Sequence, residues 1–362
     1  MIVHILTAKR YHLVPGISKG FVTTYKEDAQ HRVLLIGDDH TDWLLYKKLF
    51  QKVDFSDYFF VLSKYQLFYQ LWKNRKHSIL FHAGSYCHFL MAFASGCSNV
   101  NWVCWGSGAS IHDNRKSKLT SPLKSWIYRR FYSIVTLMED DRTSIIRDFK
   151  VKPELIKTIP YASAGGRSLR SEICLRLLKE KKMVHSDKPI VLLGNNPGNL
   201  KYYIQLMNML SSFKGKIRVH CMMNYSLNKD QRYEAFINHG KVLFGDDFRS
   251  NEEFYHGAEN YVNYMNTCDV YMCGSPDQSG LGALSTVLQL GKKIYVTGKN
   301  YEWASKECGT FVFNVSEISD YEDFVKPLCE EQKIHNFNAI RTRRTLPPIL
   351  WKEYLHQLNI VG

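Results

Sequence analysis

Short apolar runs recur along the chain, separated by stretches of helical spacing. That pattern predicts buried parallel strands alternating with helices. The first series predicts strands at Ile2 to Leu6, Val33 to Ile36, Tyr58 to Leu62, Ser78 to Phe81, Trp102 to Trp105 and Ile134 to Leu137. The second predicts them at Ile190 to Leu193, Ile217 to Met222, Val242 to Phe244, Val270 to Cys273, Lys293 to Val296 and Thr310 to Phe313. Between the series, Ile159 to Arg167 (IPYASAGGR) combines Pro, Ser and paired Gly, and a basic helical stretch runs from Ser168 to Lys182. The expected organisation is α/β: one open-sheet domain over 1–165, a crossover over 166–185 and a second domain over 186–346. At the end, Pro347 to Asn359 (PPILWKEYLHQLN) stacks Leu350, Tyr354 and Leu358 on one helical face. Read from its residues alone, that helix caps its own domain.

The most informative local pattern is DVYMCGSPDQSGLGALSTVLQLGKKIYVTGKNYEW, residues 269–303. It reads as strand, glycine-bearing loop, helix, glycine stop and strand. Gly280 and Gly282 let the backbone approach a ligand, and the helix opening over Ala283 to Leu290 directs free N–H groups toward that loop. Such a βαβ unit places an anion-favouring helix start at the carboxyl end of a parallel strand, where a nucleotide diphosphate fits. A GxG pair alone is also what a tight turn looks like, but a second turn supports the ligand reading. Ile190 to Leu200 (IVLLGNNPGNL) is a strand followed by Gly194, Asn195, Asn196 and Gly198, residues suited to positive φ and to presenting amides to a diphosphate.

Bulk properties set the frame for these motifs. The chain has 362 residues, 45% hydrophobic and 23% charged, which is globular composition with room for two cores. Its net charge of +14 and pI near 9.2 call for an anionic partner. No helix-turn-helix signature, zinc-finger spacing or RNP-like aromatic motif is present, so nucleic acid is not expected. Nine cysteines without a CxxC pair read as reduced thiols, not as a disulfide framework or a metal site. MIVHILTAKRYH reads as a first strand, not a signal peptide, and Ser78 to Trp105 is too interrupted by polar residues to span a bilayer.

The stretch CDVYMCGSPDQSGLGALSTVLQLGKKIYV, followed by Trp303, resembles the 4-acetamido-4,6-dideoxygalactose transferases, glycosyltransferase family 56. Gln278, Gly280, Gly282, Gln289, Gly291 and Trp303 fall on that family's positions, and Gly194 with Asn195 is similar to its first donor turn. The resemblance implies a GT-B architecture, two Rossmann-like domains facing a cleft, with the nucleotide-sugar donor held by the second and the last helix, 347–362, packing back on the first. Gly194, Asn195, Asn196, Tyr225, Asp277, Gln278, Gly280, Leu281, Gly282 and Ala283 are then the candidate donor-binding residues, with Tyr225 placed to stack on the base or ribose. Tyr233 matches a second tyrosine of that segment. Two departures stand out. The Glu-x7-Glu pair of many retaining GT-B enzymes is replaced by Gln278 and Thr286, and Asp277 stands where the family has a non-acidic residue.

The resemblance continues more weakly over 80–145. Phe81 and His82 match a strand ending in Phe-His-Gly, which puts His82 at a strand's carboxyl end, facing the cleft. Trp105 and Gly106 match a Trp-Gly-Ala-Asp turn, but its acidic position is Gly108 here. Asp39 and Asp141 match aspartates after the second and sixth strands. Glycosyl transfer needs a base for the acceptor hydroxyl, and His82, Asp39 and His12 are the candidates. Each also has a structural reading, as a hydrogen bonder at a strand end or as a helix cap. The pairs Asp38-Asp39, Asp140-Asp141 and Asp246-Asp247 read as surface charge or caps, so no metal or other cofactor is expected.

Asn114 to Met138 holds Arg115, Lys116, Lys118, Lys124, Arg129 and Arg130 with no acidic residue, interleaved with Trp126, Tyr128, Phe131 and Tyr132. Lys124, Trp126, Arg129 and Arg130 are the candidates for contact with an anionic membrane and a lipid diphosphate; the alternative is a solvated helix with inward aromatics. The resulting expectation is a cytoplasmic enzyme, peripheral on the inner face of the membrane. It would move a sugar, expected to be an amino-deoxyhexose, from a TDP-, UDP- or GDP-linked donor to a lipid-linked saccharide of bacterial surface polysaccharide such as O-antigen. The rivals are a GT-B-shaped nucleotide-sugar epimerase and a non-catalytic saccharide- or nucleotide-binding subunit.

Overall fold

The computed structural model describes residues 1–7, 25, 29–37, 58–61, 63–82, 84–106, 108–109, 115–160, 166–180, 187–194, 200–223, 231–251 and 257–361. Within those segments the side chains of 58, 60, 115–119, 166–168, 231, 344–347 and 361 are not described. The chain divides into two compact units, one formed by Met1–Gly165 with Thr345–Gly362, the other by Gly166–Arg344.

In the first unit seven parallel strands, β1 (Ile2–Thr7), β2 (His31–Ile36), β3 (Tyr58–Val61), β4 (Ser78–Phe81), β5 (Val100–Cys104), β6 (Ser133–Thr136) and β7 (Ile156–Thr158), form one sheet. Their order is β3-β2-β1-β4-β5-β6-β7, so the direction of winding reverses between β1 and β4. Four helices, α1 (Lys64–Lys73), α2 (Tyr86–Ala94), α3 (Arg115–Tyr128) and α4 (Glu139–Phe149), cover one face. They bury Leu67, Leu71, Phe89, Ile127, Tyr128 and Phe149 against Val3, Ile5, Ile79 and Phe81. The opposite face, carrying Ile2, Leu6, Val33 and Leu80, is covered by Trp351, Tyr354, Leu355 and Leu358. Because both faces are covered, the strands read as nearly unbroken apolar runs.

The second unit repeats the plan. Strands β8 (Ile190–Leu193), β9 (Arg218–Met222), β10 (Phe248–Asn251), β11 (Val270–Cys273), β12 (Lys293–Val296) and β13 (Phe313–Asn314) pair in parallel in the order β10-β9-β8-β11-β12-β13. Here winding reverses between β8 and β11. Helices α5 (Gly166–Glu180), α6 (Leu200–Leu210), α7 (Gln231–Phe244), α8 (Ala258–Asn266), α9 (Leu281–Gln289), α10 (Gly298–Glu302) and α11 (Tyr321–Val325) surround the sheet. Helix α12, Glu330–Val361, ends the chain.

Several elements differ from the sequence pattern. Val242 to Phe244 is the last turn of α7 instead of a strand. Its Val242 is 76% exposed while Phe244 is buried, which is helical and not strand alternation. The edge strand is β10, whose FRSN sequence carries only one apolar residue. Thr310 to Phe313 shrinks to the two-residue β13, since Thr310 N and Oγ1 both donate to Ala304 O, at 3.0 and 2.6 Å. Strand β7 falls just before the expected break and was concealed by its single buried residue, Ile156.

The helix read as a crossover, α5, is part of the second unit. It buries Ile173, Cys174 and Leu177, and Arg176 pairs with Glu259 on α8. The last helix starts 17 residues before Pro347, at Glu330, and runs through the Pro347-Pro348 pair. Packing of Phe337 and Ile340 ahead of the prolines and of Trp351 and Tyr354 after them offsets the missing donors. Trp351 Nε1 donates to Pro160 O at 2.9 Å, and Ser78 Oγ donates to Leu358 O at 2.5 Å.

Candidate functional site

In an open parallel sheet, ligands bind outside the carboxyl ends of the strands where the winding reverses, because the adjoining loops part there. In the second unit that point lies between β8 and β11. Gly194 follows β8 with φ +32°, and its N–H donates to Met272 O at 2.9 Å. A Cβ at Gly194 would lie 2.1 Å from Tyr203 Oη, so the position accepts only glycine. Asn195, Asn196 and Tyr225, read as donor contacts, lie outside the described residues.

After β11 the chain passes through Ser275, buried, and the loop Pro276 to Gly280 to reach α9. Gly280 caps that helix in the left-handed region, φ +64°, and its carbonyl accepts from Leu284 N at 2.9 Å. The N–H groups of Leu281, Gly282 and Ala283 precede the first intrahelical donor and carry the positive end of the helix dipole. A Cβ at Gly282 would meet nothing within 4 Å, so open space lies directly against the first turn. Within the loop that leads to this turn, Oε1 of Gln278 is buried and takes no hydrogen bond. A buried acceptor without a donor costs free energy, and a bound hydroxyl or N–H would relieve it.

The loop is anchored from behind by residues that sequence reasoning missed. Asn300, fully buried on α10, accepts from Ser279 N at 3.1 Å and donates to Ser279 O at 2.7 Å. Lys299 N donates to Pro276 O at 3.0 Å. Gly298 has φ +56° and sits so close to the loop that a Cβ would lie 2.2 Å from Pro276 O. The available signal was the Gly-Lys-Asn triplet immediately after the β12 strand and Thr297.

Other positions carried over by resemblance are structural here. Thr286, in place of the second glutamate, is buried and donates its hydroxyl to Gly282 O at 2.9 Å, so it stiffens the first turn. Gln289 is buried eight residues after Leu281, about 12 Å along the helix, and neither atom of its amide takes a hydrogen bond. Tyr233 is buried on α7, with Oη 2.9 Å from Ser250 Oγ. Trp303 is buried as well, with the Arg343 guanidinium 5.9 Å from its ring centroid.

In the first unit the reversal lies between β1 and β4, and His82 follows β4 at that point. The sequence predicts that it faces the cleft. Its ring is instead fully buried, with Nε2 2.8 Å from His4 Nδ1. His4 Nε2 lies 2.8 Å from His31 Nδ1, and His31 Nε2 lies 3.0 Å from Tyr25 O. Desolvation, then the neighbouring histidine charge, depresses the His82 pKa to about 3, and His4 is pushed well below its usual value for the same reasons. His12 and Asp39, the other candidate bases, lie outside the described residues.

At Gly108, a Cβ would lie 2.9 Å from Tyr128 Oη and 3.0 Å from Trp102, and the Gly108 carbonyl accepts from Tyr128 Oη at 3.0 Å. An aspartate therefore has no room where the resembled family carries one. Asp141 is buried in the first turn of α4, where the helix dipole favours a carboxylate. Asp247 pairs with Lys188 at 2.6 Å. Among the described residues no group of three or more His, Cys, Asp or Glu is arranged to hold a metal ion.

The membrane candidates on and after α3 separate. Lys124 is buried, with Nζ 5.5 Å from the Tyr86 ring centroid, and is no surface contact. Trp126, Arg129 and Arg130 are exposed, and the Arg130 guanidinium stacks over Trp126 at 4.6 Å. No helix among the described residues is long and apolar enough to cross a membrane.

No protein-family model matches the chain, and no curated protein matches its sequence. Solved structures do match its fold. Alr3699/HepE of Anabaena, in complex with UDP and glucose, superposes with a TM-score of 0.65 at 11% identity, over 98% of both chains. A glycosyltransferase from Rickettsia africae gives 0.62 at 13% identity over 99% of this chain and 98% of that one. UDP-N-acetylglucosamine 2-epimerase from Rickettsia bellii gives 0.58 at 13% identity over the same shares. These likenesses define the fold: two Rossmann-like α/β units of the GT-B kind.

Proposed function

We propose that this protein is a glycosyltransferase using a nucleotide-diphosphate sugar as donor. The observation that carries the reading is the loop at the reversal of the second sheet: open space against the first turn of α9, an unsatisfied Gln278 Oε1, and a backbone held from behind by Asn300. Free N–H groups at Leu281 to Ala283 suit a diphosphate and would stabilise it as it departs. The neighbours crystallised with UDP or UDP-glucose support a donor of this class.

The finer reading is a transfer of family 56 type, of an amino-deoxyhexose to a lipid-linked saccharide in bacterial surface polysaccharide such as O-antigen, at the inner face of the cytoplasmic membrane. The chemistry would run without a bound metal, on the helix dipole and backbone amides. Burial of His82 shifts the base role toward Asp39 or His12, with His82 ordering the carboxyl edge of the first sheet. A panel of TDP-, UDP- and GDP-sugars, read by the mass shift of a saccharide acceptor, tests the proposal. No mass shift with any donor would refute it.

A second reading, nucleotide-sugar epimerase, is favoured by the epimerases that share the fold, including one bound to UDP-GlcNAc. Epimer formation without acceptor would select it. Nucleotide binding with neither reaction would select the non-catalytic subunit.

A further inference from the structure

Helix α1 has two apolar faces. Leu67 and Leu71 are buried against the first sheet. On the other side Tyr65 is 88% exposed, Phe68 42%, Tyr69 54% and Trp72 49%. At 3.6 residues per turn these four rings fall within an arc of about 100°, centred about 130° around the helix from the buried leucines. Lys64 and Lys73 flank the arc on either side. Scattered surface aromatics need no explanation, but four on one exposed face of a ten-residue helix form a patch of the kind that marks an interaction site.

The charge around the patch identifies its partner. From Tyr58 to His112 the sequence contains no aspartate or glutamate, while Lys64, Lys73, Arg75 and Lys76 lie on or just after α1. The Arg75 guanidinium sits 4.8 Å from the Trp72 ring centroid. Tyr and Trp are the side chains whose rings settle at the headgroup level of a bilayer, and lysines beside them meet anionic lipid phosphates. A second copy of this chain would bring like charges together at the same patch.

We infer that the outer face of α1, with Tyr65, Phe68, Tyr69 and Trp72 as the inserting rings and Lys64 and Lys73 as the flanking cations, docks this protein on an anionic lipid surface. The helix would lie in the plane of the interface with its aromatic arc among the headgroups. This site differs from the α3 stretch that sequence alone singled out, whose Lys124 is buried. It also stands independently of the transferase reading.

The test is flotation of the full chain with vesicles of phosphatidylcholine alone or mixed with phosphatidylglycerol. Wild type is expected to float with the mixed vesicles. Replacing the four rings by serine is expected to reduce that fraction by roughly tenfold or more, at high as well as low salt. Lys64→Glu with Lys73→Glu should reduce it chiefly at low salt. Circular dichroism and nucleotide binding, measured alongside, should be unchanged because none of the six residues is buried. If the fourfold variant misfolds, the Tyr65→Ser, Trp72→Ser pair replaces it.

Flotation of the aromatic variants equal to wild type, or failure of wild type to float, would overturn the inference. So would self-association of wild type in sedimentation velocity that the aromatic variant abolishes, since the patch would then be a protein interface. Transfer to a water-soluble acceptor, assayed on the same variants, keeps failure of this inference distinct from failure of the transferase reading.

Discussion

His4 Nδ1 lies 2.8 Å from His82 Nε2, and this bond is one step of a ladder of three buried histidines. The ladder climbs diagonally across adjacent strands. Register places His31 level with Ile2, and His82 one residue beyond the Ile5–Phe81 pair. The proton positions follow from the far end. Tyr25 O can only accept, so His31 carries a proton on Nε2; with that ring uncharged, its Nδ1 accepts from His4 Nε2–H. His4 Nδ1 then accepts from His82 Nε2–H, which leaves Nδ1 of His82 as the acceptor nitrogen.

Stability should therefore fall in mild acid. The folded-state pKa values of His82, about 3, and of His4 lie below the usual 6.5, so the unfolded chain binds more protons than the native one between them. The contribution is complete above pH 6.5 and is lost as pH falls toward 3. For each such histidine the loss is about 1.4 kcal/mol per pH unit. Urea unfolding at pH 7 and pH 5 would show it, and long-range proton–nitrogen NMR should report the Nε2–H tautomer for His82. An imidazolium at pH 7 would contradict the ladder.

Gly282 and Gly298, which adjoin the Pro276 to Gly280 loop, should respond oppositely. Gly282→Val adds a side chain to open space, so melting should be little changed while nucleotide affinity drops by about tenfold through obstructed approach. Gly298→Ala drives a Cβ into Pro276 O at positive φ and should cost about 1–3 kcal/mol. Calorimetric titration beside thermal melting separates the two. Unchanged affinity in folded Gly282→Val would remove the loop from the site.

Asn300→Leu removes both hydrogen bonds to Ser279 and leaves its backbone N–H and carbonyl buried without those partners. A loss of about 1–3 kcal/mol is expected, accompanied by weaker nucleotide binding because the loop loses its anchor. Asn300→Asp, which keeps the acceptor for Ser279 N, should recover part of the affinity. Equal affinity across all three proteins would leave Asn300 with a purely structural part.

Transfer should persist in a chelator. If it stops and magnesium or manganese restores it, the aspartate pairs, Asp38-Asp39 first among them, become the metal candidates.

The sequence by itself determined the two α/β series and the glycine-bearing turn before α9, because strands covered on both faces must be apolar throughout and a left-handed cap must be glycine. It determined much less where one face or one edge relaxes the pattern. Strand β10 carries one apolar residue and β7 one buried residue, so neither produced a signal. Val242 to Phe244 produced a false one, since three residues are too few to distinguish strand from helix.

Tertiary structure alone decided the parts that depend on residues distant in the chain. Asn300 reaches back to Ser279, Tyr128 and Trp102 close the space at Gly108, and His4 and His31 bury His82. Which aromatic stretch faces outward was also settled only there. The basic helix α3 turns Tyr128 and Lys124 inward, while α1 spends two leucines on the sheet and leaves four rings exposed. Local periodicity specifies that a helix has a face; the neighbours it packs against decide which face that is.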